Sequence, residues 1–180
     1  MIAFLLALQV AKLDAPVSLA APLISLSAVK DLAEAKGEKS LVVFFFNEQC
    51  GVTYFYKARM QKLMKDFEPK GFAFAGVRTG RKQYPDRPVE VAEAKYLTMP
   101  FFDDAEGALM DRFGVGQSLT FAVIDQGGTL RYFGGFDDNV NEKSVKKSYL
   151  RDALRDLANG RPVAVKRGVA MGCAILPVKP

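Results

Sequence analysis

Two cysteines carry most of the chemistry open to this sequence, because the chain contains no histidine. Cys50 and Cys173 are the two cysteines among 180 residues, and tryptophan is absent as well. Ser-His-Asp and Cys-His mechanisms need an imidazole base and are therefore excluded. Histidine-ligated zinc, haem and copper sites are excluded too. The remaining candidate groups are thiols, carboxylates, amines and hydroxyls.

Cys50 lies where a strand is predicted to end and a helix to begin. Leu41–Phe46 is a continuous apolar run, typical of a strand covered on both faces. From about Gly51 to Phe67 the apolar residues recur at helical spacing. A thiol at a helix N-terminus meets the positive end of the helix dipole and free N–H groups, which lower its pKa. Cys50 is therefore a candidate nucleophile for disulfide exchange or peroxide reduction, the alternative being a buried apolar side chain.

Three further residues bear on the reactivity of Cys50. Thr53, one turn into the predicted helix, could donate its hydroxyl to a Cys50 thiolate or bond back to a helix carbonyl. Glu48 would oppose ionisation of the neighbouring thiol. Cys173 could resolve an oxidised Cys50 as a disulfide, which requires Cα atoms closer than about 7 Å. The alternative for Cys173 is packing with the residues that follow it, Ala174 and Ile175. A two-thiol Cu(I) site is disfavoured by the lack of histidine and of clustered cysteines.

The charged residues are typical of an ordinary mixed surface. The chain carries 25 Lys and Arg against 20 Asp and Glu, a net charge of +5. The densest basic stretch, residues 51–90, is predicted to be a solvated face, and no nucleic-acid partner is expected. The clustered carboxylates are expected to cap backbone groups in turns; they are Asp103, Asp104, Glu106, Asp137 and Asp138.

The pattern of elements predicts an α/β sandwich with a mixed β-sheet of about four or five strands flanked by helices. In chain order the predicted elements are a short helix after Ser27 that stops at Gly37, strand Leu41–Phe46, helix Gly51–Phe67, strand Phe72–Val77, a loop over 79–87, helix Glu90–Leu97 with Pro88 in its first turn, an apolar element Phe101–Phe102, helix Glu106–Phe113, a hairpin of Phe121–Asp125 and Thr129–Phe133, and helix Ser144–Ala158.

The termini are predicted to lie outside the domain proper. Residues 1–25 form an N-terminal segment whose apolar run 2–10 is too short to span a bilayer, so no stable membrane insertion is expected. The run resembles the core of a signal peptide ending near residue 20, although Lys12 and Asp14 interrupt it; a buried strand or helix is the alternative. Export would place the protein in the periplasm or outside the cell; otherwise it is cytoplasmic. The domain is assigned to 26–160 and a tail to 161–180.

Several segments, in order, resemble proteins of the thioredoxin superfamily. "VVFFFNEQCGVT" looks like the strand–loop–CxxC segment, with Cys50 at the first cysteine position and Thr53 at the second. "FEPKGFAFAGVRT", "MPFFDDAEGALMDRFGV", "FAVIDQGGTLRYFGGFDD" and "YLRDALRDLANGRPV" resemble the later segments, and "GCAI" the C-terminal Gly-Cys. The chain is therefore similar to the peroxiredoxin-like (redoxin, AhpC/TSA-related) group over roughly residues 26–175.

The resemblance implies a thioredoxin-like fold and a thiol-disulfide oxidoreductase. Cys50, Thr53 and Cys173 would form the catalytic site, with Cys50 acting through a mixed disulfide or through resolution by Cys173. No cofactor or metal is implied, and the partners would be protein or small-molecule thiols and disulfides. A thiol peroxidase and a non-catalytic redoxin-like binding module are the alternatives; the substrate and the oligomeric state stay open.

Three positions depart from the patterns of related proteins. Thr53 replaces the second cysteine, so a local dithiol–disulfide cycle is impossible. Asn47 stands where peroxiredoxins place a threonine, and no clear arginine precedes Phe121–Asp125. Ser118-Leu119 replaces the Thr-Pro whose proline is cis in thioredoxins. Because a cis bond before a residue other than proline costs about 2.5–4 kcal/mol, a trans bond and a weakened substrate-docking edge are expected there.

Overall fold

The computed structural model describes residues 10–79 and 92–175. The strands are β1 (Ile24–Ser25), β2 (Ser40–Phe46), β3 (Phe72–Thr79), β4 (Phe101–Asp104), β5 (Thr120–Asp125) and β6 (Leu130–Gly134). The α-helices are α1 (Val52–Phe67), α2 (Ala108–Phe113) and α3 (Tyr149–Ala158). Short 3-10 turns lie at Leu32–Ala35, Glu68–Lys70, Ala92–Lys95 and Glu142–Ser144.

The strands form one mixed sheet in the order β1-β4-β3-β2-β5-β6. β2 pairs in parallel with β3, and β3 with β4, whereas the other three pairings are antiparallel. The described part of the sheet has six strands rather than the predicted four or five, because the two-residue edge strand β1 is too short to show a sequence period. The predicted α/β architecture is confirmed.

Strand β2 lies at the centre of two apolar layers, one on each face of the sheet. Val42, Phe44 and Phe46 pack into the layer shared with α1 and α3. Leu41 and Phe45 point to the other layer, which includes residues of α2. Because successive side chains of a strand alternate between faces, a strand buried on both faces has the continuous apolar run seen in the sequence. β2 is therefore fixed on both faces, and it ends four residues before Cys50.

Two predicted helices begin later than expected, and in each case a carboxylate accepts hydrogen bonds from backbone N–H groups near the actual start. The helix expected to end at Gly37 is only the 3-10 turn Leu32–Ala35, since Asp31 accepts from the Ala33 N–H and starts the turn there. The last helix begins at Tyr149 rather than Ser144. The Asp138 carboxylate accepts from two amides just before it, which fixes that stretch outside the helix.

The remaining differences concern the segment between β3 and α2. Ala92–Lys95 forms a 3-10 turn within the predicted helix Glu90–Leu97; Pro88 and most of the predicted loop 79–87 lie outside the described residues. Phe101–Phe102 is part of strand β4. Helix α2 starts at Ala108 rather than Glu106 because Asp104 caps it from β4, accepting from two amides of its first turn.

Both terminal segments pack along the sheet where they are described. Val17 donates to the Gly128 carbonyl and Leu130 donates to the Ala15 carbonyl, so the N-terminal segment lines the β5–β6 turn. On the C-terminal side, the Phe133 N–H bonds the Lys166 carbonyl at 3.0 Å beside β6. The segment assigned as the tail, 161–180, therefore pairs with the rest of the protein at two isolated bridges in its described part, Arg167 with Phe133 and Ala174 with Gln117. Among the described residues no helix has the length and apolarity needed to cross a membrane.

Candidate functional site

Cys50 lies in a hydrogen-bonded loop between the end of β2 and the start of α1. Its N–H donates to the Asn47 carbonyl at 2.9 Å, and its own carbonyl accepts from the Thr53 N–H at 3.0 Å. The Asn47 N–H donates to the Ser118 hydroxyl oxygen, also at 3.0 Å, which joins the loop to the chain ahead of β5. These bonds hold Cys50 at a strand-to-helix junction, as predicted, with a side chain that is only 2% exposed.

Cys173 comes to Cys50 from the far end of the chain. Its backbone N–H donates to the Cys50 Sγ at 3.0 Å, and the residue is exposed. The segment is fixed because the Ser118 N–H donates to the Cys173 carbonyl at 2.8 Å and the Ile175 N–H donates to the Gly116 carbonyl at 2.9 Å. The structure thus brings together two thiols 123 positions apart, which no local sequence pattern could have shown.

The Cys50 thiolate is stabilised even though the side chain is buried. Burial raises the pKa of Cys50, but four hydrogen bonds to the sulfur together lower it by more than burial raises it. The donors are the Cys173 thiol, the N–H groups of Cys173 and Val52, and the Ser118 hydroxyl. The net pKa of Cys50 is therefore below the ordinary thiol value. The pKa of Cys173 is raised, first because its thiol donates to Cys50 and then because of partial burial. The preferred ionised state is therefore a Cys50 thiolate accepting from a protonated Cys173.

Thr53 makes neither of the two hydrogen bonds considered from the sequence. Its side chain is buried, at 2% exposure, and the hydroxyl oxygen has no hydrogen-bond partner in the described part of the chain. Only its backbone N–H, through the Cys50 carbonyl, touches the cysteine loop. Among the described residues, neither donation to the thiolate nor the back-bond to a helix carbonyl is present, and Ser118 and Cys173 are the side-chain donors to the sulfur.

Glu48 does not face the thiol as an uncompensated charge. Its carboxylate accepts from Arg78 at 3.0 Å, and the same guanidinium makes two bonds to Asp103, at 3.2 and 2.9 Å. Arg78 and Asp103 are fully buried and lie opposite each other on β3 and β4. The guanidinium thus offsets the negative charge of Glu48, so the opposition to ionisation expected from the sequence is reduced.

The chain ahead of β5 adopts a strained but trans conformation. The described residues contain no cis peptide bond, so the trans bond predicted before Leu119 is confirmed. Leu119 is fully buried with φ of +59°, a left-handed conformation that leucine rarely adopts. The edge formed by Gly116–Ser118, expected to be a weakened docking edge, is paired with the protein's own residues 173–175.

Sequence reasoning missed the roles of Ser118 and of two buried arginines. Arg78 and Arg59 belong to the stretch predicted to be a solvated face, yet they are 0% and 6% exposed. Each pairs with a carboxylate expected to cap a turn, Arg78 with Asp103 and Arg59 with Asp137. Asp104 and Asp138 do bind backbone amides, as expected. Finding the Arg78 pair requires the register of β3 and β4, and finding the Arg59 pair requires the packing of α1 against the chain after β6.

Within the described residues, no group of three or more Asp, Glu, Cys or His side chains is arranged to hold a metal ion. The chemistry available at this site is that of the two thiols. A stabilised thiolate beside a second thiol can exchange with disulfides and can itself close to a disulfide.

The mixed six-stranded sheet flanked by helices is that of a thioredoxin-like α/β fold. The model of the AhpC/TSA family matches residues 18–133, and the chain belongs to that family. Among curated protein sequences none matches the chain.

Solved structures share the same fold at low sequence identity. An uncharacterized conserved protein from Geobacillus kaustophilus aligns with a TM-score of 0.75 at 22% identity, covering 96% of this chain and 94% of its own. The structure described as the thiol:disulfide interchange protein DsbE of Chlorobium tepidum aligns at 0.54 and 18% identity, covering 83% and 98%. A mutant of PrxQ from Xylella fastidiosa aligns at 0.54 and 17%, covering 68% and 84%. These alignments confirm the predicted thioredoxin-like α/β fold.

Proposed function

We propose that this protein is a thiol-disulfide oxidoreductase in which Cys50 is the nucleophile and Cys173 the resolving thiol. The observation that carries the proposal is the Cys173 N–H bond to the Cys50 Sγ at 3.0 Å, which puts the two residues within reach of each other. The hydrogen bonds that lower the Cys50 pKa supply the thiolate that exchange requires. Thr53 takes no part in the proposed reaction, because its hydroxyl makes no hydrogen bond to the Cys50 sulfur.

The overall reaction moves two electrons between the cysteine pair and an external thiol or disulfide. In the oxidising direction, the two thiols react with R–S–S–R to give the Cys50–Cys173 disulfide and two R–SH. The intermediate is a mixed disulfide between one protein sulfur and one R–S group, and the second protein sulfur displaces that group as a thiolate. Protein or small-molecule thiols are the partners this chemistry recognises.

Reduction of a hydroperoxide is the second candidate, favoured by membership of the AhpC/TSA family. There the Cys50 thiolate attacks the terminal oxygen of the peroxide, the O–O bond breaks, and Cys50 becomes a sulfenic acid. The alkoxide that leaves takes a proton from solvent and becomes an alcohol. The Cys173 thiol then attacks the Cys50 sulfur, and water leaves as the disulfide forms. Both candidates end at the same Cys50–Cys173 disulfide, which separates them from a non-catalytic binding module.

Mass spectrometry after oxidation tests the proposal. The reduced protein is incubated with oxidised glutathione or with hydrogen peroxide, alkylated in acid and digested. We expect a Cys50–Cys173 disulfide that is absent from the Cys50→Ser and Cys173→Ser variants. The relative rates with the two oxidants then decide between the candidates. Two free thiols, or glutathione retained on both cysteines, would contradict a redox pair and favour the binding module.

A further inference from the structure

The C-terminal segment 172–175, here called the added strand, lies over Cys50 and pairs with the protein through one antiparallel β-bridge. Ala174 bridges Gln117 in antiparallel register, between the two backbone bonds that join Cys173 to Ser118 and Ile175 to Gly116. Ile175 is 4% exposed and packs into the apolar layer beneath the sheet, which anchors the end of the segment. The backbone edge next to the reactive sulfur is therefore already filled by this chain.

The two cysteines differ in their exposure to solvent. Cys50 is 2% exposed, and its sulfur accepts bonds from Val52, Ser118 and Cys173 around it. Cys173 is exposed. A thiolate attacks a disulfide sulfur in line with the bond that breaks. Because an attacking thiolate needs room beside the sulfur that it attacks, the burial of Cys50 and the exposure of Cys173 favour attack at Cys173.

We propose that Cys173, rather than the early cysteine Cys50, is the sulfur that an external thiol attacks when the disulfide opens. This inference rests on the proposed function, because it needs the Cys50–Cys173 disulfide to form. Because exchange is reversible along one path, it also implies that in oxidation by R–S–S–R the mixed disulfide forms on Cys173 and the Cys50 thiolate displaces R–S⁻ from it. The incoming R–S⁻ bonds to the Cys173 Sγ, the Cys50–Cys173 bond breaks, and its electron pair leaves on Cys50 as a thiolate. A second R–S⁻ then attacks the R sulfur, releasing R–S–S–R and the Cys173 thiolate, which takes a proton from solvent.

The chemistry of the leaving group favours the same direction. A thiol of lower pKa leaves faster in disulfide exchange. The pKa of Cys50 is lowered, despite burial, by the bonds from Cys173, Val52 and Ser118, whereas the pKa of Cys173 is raised. Attack at Cys173 thus expels the stabilised thiolate into a site built for it. Attack at Cys50 would expel the poorer leaving group.

Gly172 allows the strand to lie this close. A Cβ added at Gly172 would overlap the carbonyl oxygen of Ser118, so any larger residue forces the segment away from the edge. Gly116, on the partner side of the same pairing, has open space where its Cβ would be. Gly172 is therefore the positioning residue that seats Cys173 over Cys50, and Gly116 offers a matched control.

Kinetic trapping on the oxidised wild-type protein tests the assignment. The oxidised protein is mixed with limiting reduced glutathione, quenched with acid within milliseconds to seconds, and alkylated before peptide mapping. We expect glutathione on Cys173 and the alkyl group on Cys50 in most of the trapped mixed disulfide. Glutathione found mainly on Cys50 would overturn the inference.

Single-thiol variants give a second measurement that does not need the disulfide. With an aromatic disulfide such as dithiobis-nitrobenzoate, Cys173 in Cys50→Ser should react at least about tenfold faster than Cys50 in Cys173→Ser, because Cys50 stays covered by the strand. Adding Gly172→Ala to Cys173→Ser should raise the Cys50 rate, and adding Gly116→Ala should not. Faster reaction of Cys50 with the strand intact, or equal effects of the two alanines, would overturn the inference.

The two proposals fail in different ways. If no Cys50–Cys173 disulfide forms under either oxidant, the proposed function fails. If the disulfide forms but glutathione is trapped on Cys50, the function stands and only the assignment of the attacked sulfur is wrong.

Discussion

Among individual residues, Ser118 and Cys173 have the most direct influence on the reactive sulfur. The Ser118 hydroxyl accepts from the Asn47 N–H and also donates to Cys50. A hydroxyl has one proton to donate and two lone pairs, so it can do both at once. The Cys173 residue contributes a backbone and a side-chain donor. Removing any one of these donors should therefore raise the Cys50 pKa.

Replacing Cys173 by alanine should raise the Cys50 pKa, whereas replacing it by serine should change it less. Alanine removes the side-chain donor that stabilises the thiolate, while serine keeps an O–H and the backbone N–H is retained in both. Thiolate absorbance followed against pH measures the midpoint. The absorbance step that reports ionisation of Cys50 should be absent from Cys50→Ser. Equal midpoints for the alanine and serine variants would contradict the hydrogen bond from the Cys173 side chain to the Cys50 sulfur.

Ser118→Ala should raise the Cys50 pKa and lower the free energy of unfolding by about 1–3 kcal/mol, because the buried Asn47 N–H loses its acceptor. Thiolate titration and urea unfolding of the reduced protein measure the two effects. Ser148→Ala is the control, since the Ser148 side chain makes no capping bond at the start of α3. An unchanged titration in Ser118→Ala would rule out donation to the sulfur.

Among the elements, β3 and β4 stabilise the cysteine loop through one buried ion cluster. Arg78 on β3 bonds Asp103 on β4 and reaches Glu48 in the loop between β2 and α1. The cluster ties two strands to the residues that precede Cys50. A buried charge left without its partner is expensive, so the cluster should be needed as a whole.

Arg78→Met should lower the free energy of unfolding by about 3–5 kcal/mol, because it removes the buried cation that makes two hydrogen bonds to the Asp103 carboxylate. It should also raise the Cys50 pKa, since Glu48 loses the neighbouring positive charge. Chemical denaturation and thiolate titration follow the two quantities. In the double variant Arg78→Met, Asp103→Leu we expect part of the stability to return; a double variant less stable than the single one would contradict the account.

For the whole molecule, the main feature is the long loop that the two cysteines enclose. Cys50 follows the central strand, and Cys173 lies 123 positions later on the added strand. Everything from α1 to α3 is contained between them. Cross-linking the two residues would remove much of the conformational freedom of the unfolded chain.

The oxidised protein should therefore be more stable than the reduced one, by up to about 4–5 kcal/mol in the chain-entropy model. Thermal or guanidinium unfolding of both forms measures the difference, and Cys173→Ser should show no dependence on redox state. A disulfide that forms but lowers the stability would indicate that its geometry strains the native strand 172–175.

The features with strong local signals were predictable. The apolar run of β2, the helical period of α1 and the glycines between β5 and β6 each fall within a few neighbouring residues, so the order of the sheet elements around Cys50 followed from them. The resemblance to redoxins drew attention to Gly172 and Cys173 as a late Gly-Cys motif. The starts of α2 and α3 were not predictable, because carboxylates several residues upstream fix them.

The amino-acid sequence was sufficient to single out the thiols as candidate reactive groups and to place Cys50 at a strand-to-helix junction. Folding was needed to show what surrounds that sulfur. Ser118 comes from the chain ahead of β5, Arg78 meets Asp103 through the register of β3 and β4, and Cys173 arrives on the added strand. The reason is physical: composition and periodicity report interactions along a few turns or residues, whereas a thiolate's stability depends on the donors that distant segments bring to it.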